Sequence, residues 1–285
     1  MSTKSAPKLA FLVLVALTML VFLRMSIQPQ INYWISQYTS QCGVEVLSKS
    51  CSNDARFQTS REAQQVIDCV KDGMTFFTQE KLEDRAALLQ SLSTVDGAFV
   101  EAGVALGGTA ILTTYIASGR PVHLYDVFGM IPPPEHIKDT DDAKERYETI
   151  KSGASRGFGN STYYGYLKDV LSQVKKNFDM CQVSTACVEF HKGLVEDTMK
   201  NINFDVAYLH CDTDFYSAVF HCLVDGGPHV QVGGYIVIDD YFSYGSAQQA
   251  YDDYFSILND THVATSRNHV YYKTVTNVMI LERVL

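Results

Sequence analysis

The sequence predicts a doubly wound α/β fold whose mainly parallel sheet ends in a C-terminal antiparallel hairpin. Two observations carry this reading. Five apolar segments of β pattern, 98–104, 121–128, 187–193, 206–211 and 233–238, alternate with stretches of helical spacing. Strand–helix alternation with right-handed crossovers builds a parallel sheet. His262–Ser266 and Tyr271–Leu281 then break the alternation, because both are β-rich and only a short turn separates them.

Taken in order, helical periodicity from Arg61 to Leu92, broken at Gly73, gives two helices ahead of the sheet. The first strand runs through Phe99-Val-Glu-Ala into Gly103-x-x-x-Gly107-Gly108, and Thr109–Ala117 continues as a helix. Glycines at such a turn let the backbone lie close to a ligand where a Cβ would clash. The second strand, Pro121-Val-His-Leu-Tyr, ends in Asp126, placed to accept hydrogen bonds from a ribose diol. The glycine spacing is not the G-x-G-x-x-G dinucleotide fingerprint. Glu101 before the turn would repel a pyrophosphate but suits a cofactor with an amine and a sulfonium, which favours S-adenosylmethionine over NAD. An ordinary tight βα turn remains the competing reading. The long segment 129–162, with Ile131-Pro-Pro-Pro, reads either as a lid or acceptor-binding element or as a surface excursion.

The chain has 285 residues, a net charge of −9 and no basic cluster beyond Lys175-Lys176, so nucleic acid is not an expected partner. Oligomeric state is left open. Leu9–Leu23 is an uninterrupted apolar run flanked by Lys4, Lys8 and Arg24. As a helix it would rise about 22 Å against a bilayer core of about 30 Å. Snorkelling basic side chains extend such a run, and no small-x-small cleavage site follows promptly. The expectation is a cytosolic tail and signal anchor over 1–27, a polar stem over 28–60 and a catalytic domain over 61–285. The protein would then be a single-pass membrane protein facing the Golgi or endoplasmic reticulum lumen, with a cleaved signal and secretion as the alternative. Asn160-Ser-Thr and Asn259-Asp-Thr are glycosylation acceptor triplets. Of seven cysteines, Cys42/Cys51 and Cys181/Cys187 are close enough in sequence to pair, while Cys211 and Cys222 read as buried core thiols.

The fourth and fifth strands end in Asp212-Thr-Asp214 and Asp239-Asp240. In an open parallel sheet the ligand crevice lies beyond the C-terminal strand ends, so Asp126, Asp212, Asp239 and Asp240 gather beside the glycine loop. Carboxylates concentrated there repel one another unless a cation sits between them, and oxygen-only donors suit Mg²⁺, with Mn²⁺ or Ca²⁺ as alternatives. Helix capping is the competing role. His191, His210 and His221 read as structural core histidines, and no His/Cys spacing of zinc type is present. Tyr241, Phe242 and Tyr244 are candidates for an acceptor pocket or for simple packing.

These pieces together resemble the macrocin O-methyltransferase family. The matching stretches are Val100-Glu-Ala-Gly-Val with Gly107-Gly108, Tyr125-Asp-Val-Phe followed by Pro132-Pro-Pro, Phe190-His-Lys-Gly, His210-Cys-Asp-Thr-Asp-Phe-Tyr-Ser and Gly233-Gly-Tyr-Ile-Val-Ile-Asp-Asp-Tyr. The resemblance implies a class I methyltransferase, Rossmann-like fold and metal-dependent methylation of sugar hydroxyls by S-adenosylmethionine. It implies that Glu101, Gly103, Gly107, Gly108 and Asp126 hold the cofactor and that Asp212, Asp239 and Asp240 bind the divalent ion. The family's usual Trp-Arg pair is replaced by Ala105-Leu106, its Ser after the strand-end Asp by Val127, and its Asp-Gly-Asp-Leu-Tyr by Asp212-Thr-Asp-Phe-Tyr. The expected acceptor is a glycan or small molecule with vicinal hydroxyls, one of which loses its proton to Asp212 or another strand-end carboxylate. The apolar N-terminal run points away from a macrolide. A secretory glycosyltransferase using Asp212-Thr-Asp214 as a D-x-D motif is the alternative function.

Overall fold

The computed structural model describes residues 61–260, 269–273 and 279–283. The expected anchor and stem, Cys42 and Cys51, and His262–Ser266 lie outside these residues. In chain order the helices are α1 (Arg61–Val70), α2 (Gln79–Ser91), α3 (Gly108–Ala117), α4 (Asp141–Lys151), α5 (Val170–Met180), α6 (Val195–Thr198), α7 (Tyr216–His221) and α8 (Gly245–Asp260). The strands are β1 (Ala98–Ala102), β2 (Val122–Asp126), β3 (Val188–Lys192), β4 (Val206–Cys211), β5 (Val230–Ile238), β6 (His269–Lys273) and β7 (Met279–Arg283).

The sheet order is β3-β2-β1-β4-β5-β7-β6. The first five strands run parallel, and β7 pairs antiparallel with both β5 and β6. The chain winds outward from β1 through β2 to β3, then returns to β4 on the other side of β1. That reversal leaves a crevice above the C-terminal ends of β1 and β4. The terminal antiparallel pair is present, but its boundaries differ from expectation. β6 ends at Lys273 and β7 begins at Met279, so Tyr271–Leu281 is two strand segments rather than one.

Burial follows strand parity. Phe99, Leu124, Tyr208 and Val237 face a layer built from α1, α2, α3 and α5. Val100, Ala102, Leu209 and Ile236 face the other layer, where Val219 of α7 and Ala250 of α8 pack. Every residue of β1 is buried, including Glu101. A central parallel strand covered on both faces is ordinarily apolar throughout, so a carboxylate there needs a partner.

The cysteines pair differently from the sequence expectation. Cys181 bonds Cys69 across 112 residues, Cys211 bonds Cys222 across 11, and Cys187 is free and exposed. Proximity in sequence misleads here because α1 and the end of α5 pack on the same face of the sheet. The Cys211–Cys222 bridge closes a ring containing Asp212-Thr213-Asp214, tying the end of β4 to the end of α7. No helix among the described residues is long and apolar enough to cross a membrane.

In the chain-entropy account a disulfide stabilises more when it closes a longer loop. Replacing Cys69 and Cys181 by serine is therefore expected to cost about 4–5 kcal/mol, and replacing Cys211 and Cys222 about 3 kcal/mol. Urea unfolding midpoints check the ranking, and a larger loss for the shorter loop contradicts it.

Candidate active site

The crevice is organised by the turn after β1. Gly103 has φ +91°, and a Cβ there would lie 1.7 Å from the carbonyl oxygen of Asp212. Only glycine lets the loop from β1 pass so close to the end of β4. Gly107, at φ +88°, precedes the first turn of α3. A Cβ on Gly108 would meet the Met74 carbonyl oxygen at 2.7 Å, and the Gly108 N–H donates to that same oxygen at 3.0 Å. The loop is thus wedged between the end of β4 and the α1–α2 link.

Asp126 at the end of β2 shapes this loop. Its Oδ2 accepts from the N–H of Val104 at 2.7 Å and of Ala105 at 3.1 Å, and its Oδ1 accepts from Phe128 N–H at 2.6 Å. It lines the cleft as well, so any hydroxyl it receives shares oxygens already holding the backbone.

The cleft has a volume of about 350 Å³, and its walls include Gly103, Thr109, Asp126, Asp212, Asp214 and Asp240. The 129–162 segment is not a featureless excursion. It carries α4, and Arg146, Phe158 and Thr162 from it wall the cleft together with Tyr163 and Tyr164. Tyr244 also reaches the cleft. Tyr241 instead meets Tyr251 edge to face at 5.0 Å between ring centres.

Asp212, Asp214 and Asp240 each place a carboxylate oxygen within 4.8 Å of the others. Burial pushes the Asp212 carboxyl well above the usual carboxylate range, with repulsion from Asp239 and Asp240 adding to it. Asp240 is pushed up to about 8 by burial and by Asp214. Asp214 sits at φ +62°, a strained conformation for a residue with a Cβ. Asp239, expected among the metal ligands, stands outside this trio because its Oδ1 faces the buried guanidinium of Arg85, 3.6 Å from Nη2. Asp214 takes the third position.

Glu101 does not line the cleft. It is wholly buried beneath Thr109, whose hydroxyl donates to Oε1 at 2.6 Å, and Thr109 itself faces the cleft. Burial raises the Glu101 carboxyl to about 7. Its Oε2 lies 3.5 Å from Nδ1 of His210, whose Nε2 is 3.8 Å from Asp212 Oδ2. Burial holds His210 well below its ordinary pKa, so the ring between the two carboxyls is neutral. Arg85 completes the layer by donating from Nη1 to Tyr208 Oη at 2.5 Å. Neither Arg85 nor Thr109 is legible as a site residue from sequence spacing. The Asp214 signal was present in the D-x-D triplet.

Residues 32–272 match the family described as Macrocin-O-methyltransferase (TylF). The chain belongs to that family. This methyltransferase is 30% identical over 190 residues to the mycinamicin III 3''-O-methyltransferase of Micromonospora griseorubida, covering 63% of this chain and 69% of the relative. It is 28% identical over 190 residues to the demethyldecarbamoylnovobiocin O-methyltransferase of Streptomyces niveus, covering 64% and 67%. The solved structure of the O-methyltransferase NovP shares the fold, with a TM-score of 0.58 at 22% identity over 76% of this chain and 88% of that one. The chain is an O-methyltransferase, and the expected S-adenosylmethionine accords with membership of a methyltransferase family. The glycosyltransferase alternative is set aside by the same matches. The expected lumen-facing, single-pass membrane placement is also overturned. The relatives matched are enzymes of Streptomyces niveus and Micromonospora griseorubida, and no helix among the described residues is long and apolar enough to cross a membrane; Leu9–Leu23 lies outside those residues.

Two stability measurements follow. Arg85→Met leaves Asp239 buried without its cation and is expected to cost about 3–5 kcal/mol, much of it recovered in Arg85→Met/Asp239→Asn. No recovery in the double variant contradicts the pairing. Glu101 retains a proton in the folded chain from pH 4.5 to about 7, where an unfolded glutamic acid has lost it. The native state then binds more protons, so unfolding free energy falls as pH rises through that window and levels off above it. Glu101→Gln should remove roughly 3 kcal/mol of this fall. Parallel pH profiles of the two proteins would refute the raised pKa.

Proposed function

We propose that this methyltransferase moves the methyl group of S-adenosylmethionine to a hydroxyl of a sugar-like acceptor bearing vicinal hydroxyls, assisted by a divalent cation. The observation that carries the reading is the meeting of the glycine loop and the strand-end carboxylates in one cleft, joined at Gly103 and Asp212. The relatives' names, which specify O-methylation of mycinamicin III at 3'' and of a novobiocin precursor, support a small-molecule acceptor.

The residues present fit a cation. Three carboxylates converge, with Arg146 offsetting the charge at Asp214 and Lys81 that at Asp240 only in part, and oxygen donors of this kind select Mg²⁺, Mn²⁺ or Ca²⁺. Asp212, Asp214 and Asp240 would hold it, with Asp239 turned toward Arg85. The ion, when bound, lowers the pKa of an acceptor hydroxyl and offsets the charge it develops. S-adenosylmethionine, when bound, supplies an electrophilic methyl group.

The chain's own residues do the rest. Gly103, Gly107 and Gly108 let the loop backbone approach the cofactor, and Asp126 holds the loop in that shape. Glu101 fixes Thr109 from below. Phe158, exposed in the cleft wall, is available to stack on a sugar ring, and Tyr163 and Tyr164 line the same wall. Asp212, partly exposed to the cleft, accepts the hydroxyl proton. Holding both reactants in one cleft makes the transfer effectively unimolecular.

The test is turnover with labelled S-adenosylmethionine and a sugar carrying vicinal hydroxyls, in Mg²⁺ and after chelation. Chelation is expected to abolish turnover. Asp212→Asn should lower kcat by about 10²–10⁴ while calorimetric binding of S-adenosylmethionine changes little. Undiminished turnover in chelator removes the metal from the account, and failure to bind S-adenosylmethionine removes the cofactor.

A further inference from the structure

A second cluster of metal-ligating groups lies at the outer edge of the sheet, on β2 and β3. Parallel register sets His123 opposite Glu189 and Tyr125 opposite His191, so all four side chains project from the same face. His123 Nδ1 is 3.1 Å from His191 Nε2 and 3.4 Å from Glu189 Oε2. One donor atom from each of His123, Glu189 and His191 lies within 4.8 Å of the other two.

We propose that His123, Glu189 and His191 form a binding site for a divalent transition metal ion of the zinc class, separate from the carboxylate cluster of the cleft. The two separations at His123 Nδ1, 3.1 and 3.4 Å, match those between ligands of one metal ion. Ligands arranged tetrahedrally at the usual Zn–N and Zn–O distances stand about 3.3 Å apart. Two imidazoles with one carboxylate are a donor set that zinc prefers and that magnesium does not. Hydrogen bonding alone accounts for the cluster less well. A proton on His123 Nδ1 satisfies either the imidazole nitrogen or the carboxylate oxygen, whereas a cation among them engages all three.

Packing fixes the rings in this arrangement. His191 stacks on Tyr125 with ring centres 4.1 Å apart, and His123 stacks on Phe204 at 4.1 Å. The Glu189 side chain is 67% exposed, so the site opens to solvent and has room for a water as fourth ligand. An ion here would clamp the edge strand β3 to β2 at His191, immediately before Lys192-Gly193, whose Gly193 N–H donates to the Asp126 carbonyl at 3.0 Å.

The test uses the full chain, stripped by chelator, dialysed and held in millimolar Mg²⁺ so that the oxygen-donor cluster is occupied. Titration with zinc chloride should show one equivalent bound with a rise in Tm, and Co²⁺ in its place should give the visible absorption of a tetrahedral site. His191→Ala and Glu189→Gln should each weaken binding at least about tenfold. Glu189→Gln changes an exposed side chain, so it decides the matter if His191→Ala does not fold. No zinc equivalent in Mg²⁺, or the same isotherm in the wild type and Glu189→Gln, overturns the site. Because the readouts are binding and Tm, failure here is distinct from failure of methyl transfer.

Discussion

The contact between Gly103 and the backbone of Asp212 is the constraint on which the rest of the site depends. The N–H of Asp212 donates to the Ala102 carbonyl at 2.8 Å, and the residue that follows β1, Gly103, passes too close to Asp212 for any side chain. The loop that shapes one half of the cleft and the carboxylate that anchors the other are therefore neighbours through their backbones. Their relative position does not depend on flexible side chains. The Cys211–Cys222 bridge fixes the same strand end from behind, and Asp126 fixes the loop from the side. Catalysis by orientation requires this kind of rigidity, because small misplacements of reacting groups are costly.

Beneath the cleft lies a buried polar layer that an apolar core would not need. Arg85, Glu101, His210 and Asp239 are all nearly inaccessible, yet only some of their atoms find hydrogen bonds. Such a layer is a weak source of stability, since desolvation offsets most of the attraction between its charges. Its placement gives it a different use. Thr109 and Asp212 sit above it facing the cleft, with Glu101 and His210 behind them. Glu101 holds Thr109 in place, and the charges of the layer contribute to the electrostatic potential at Asp212.

Much of this was legible in the sequence, and the reason is geometric. Alternating strands and helices dictate a parallel sheet, and a parallel sheet dictates that strand-end aspartates and the first glycine turn share an edge. Position along a strand thus announced Asp126, Asp212 and Asp240. Strand parity carries the Glu101 result as well, since Phe99 and Glu101 point toward the same helical layer. What the sequence hid was contact between distant segments. Nothing near Arg85 signals Asp239, nothing near Cys69 signals Cys181, and His123 meets Glu189 and His191 only through strand register. The hairpin boundary failed for a local reason, because the run Tyr271–Leu281 is β-rich on both sides of the break after Lys273.

The claim at the centre of this account is that methyl donor and divalent cation occupy one cleft, on either side of the Gly103–Asp212 contact. Paramagnetic relaxation of the S-adenosylmethionine methyl protons by Mn²⁺, measured by NMR in the full chain, tests it most directly. Strong relaxation that disappears when Asp212 is replaced by Asn is the predicted result. Bound cofactor whose methyl resonance is untouched by Mn²⁺ would place the two apart and contradict the account.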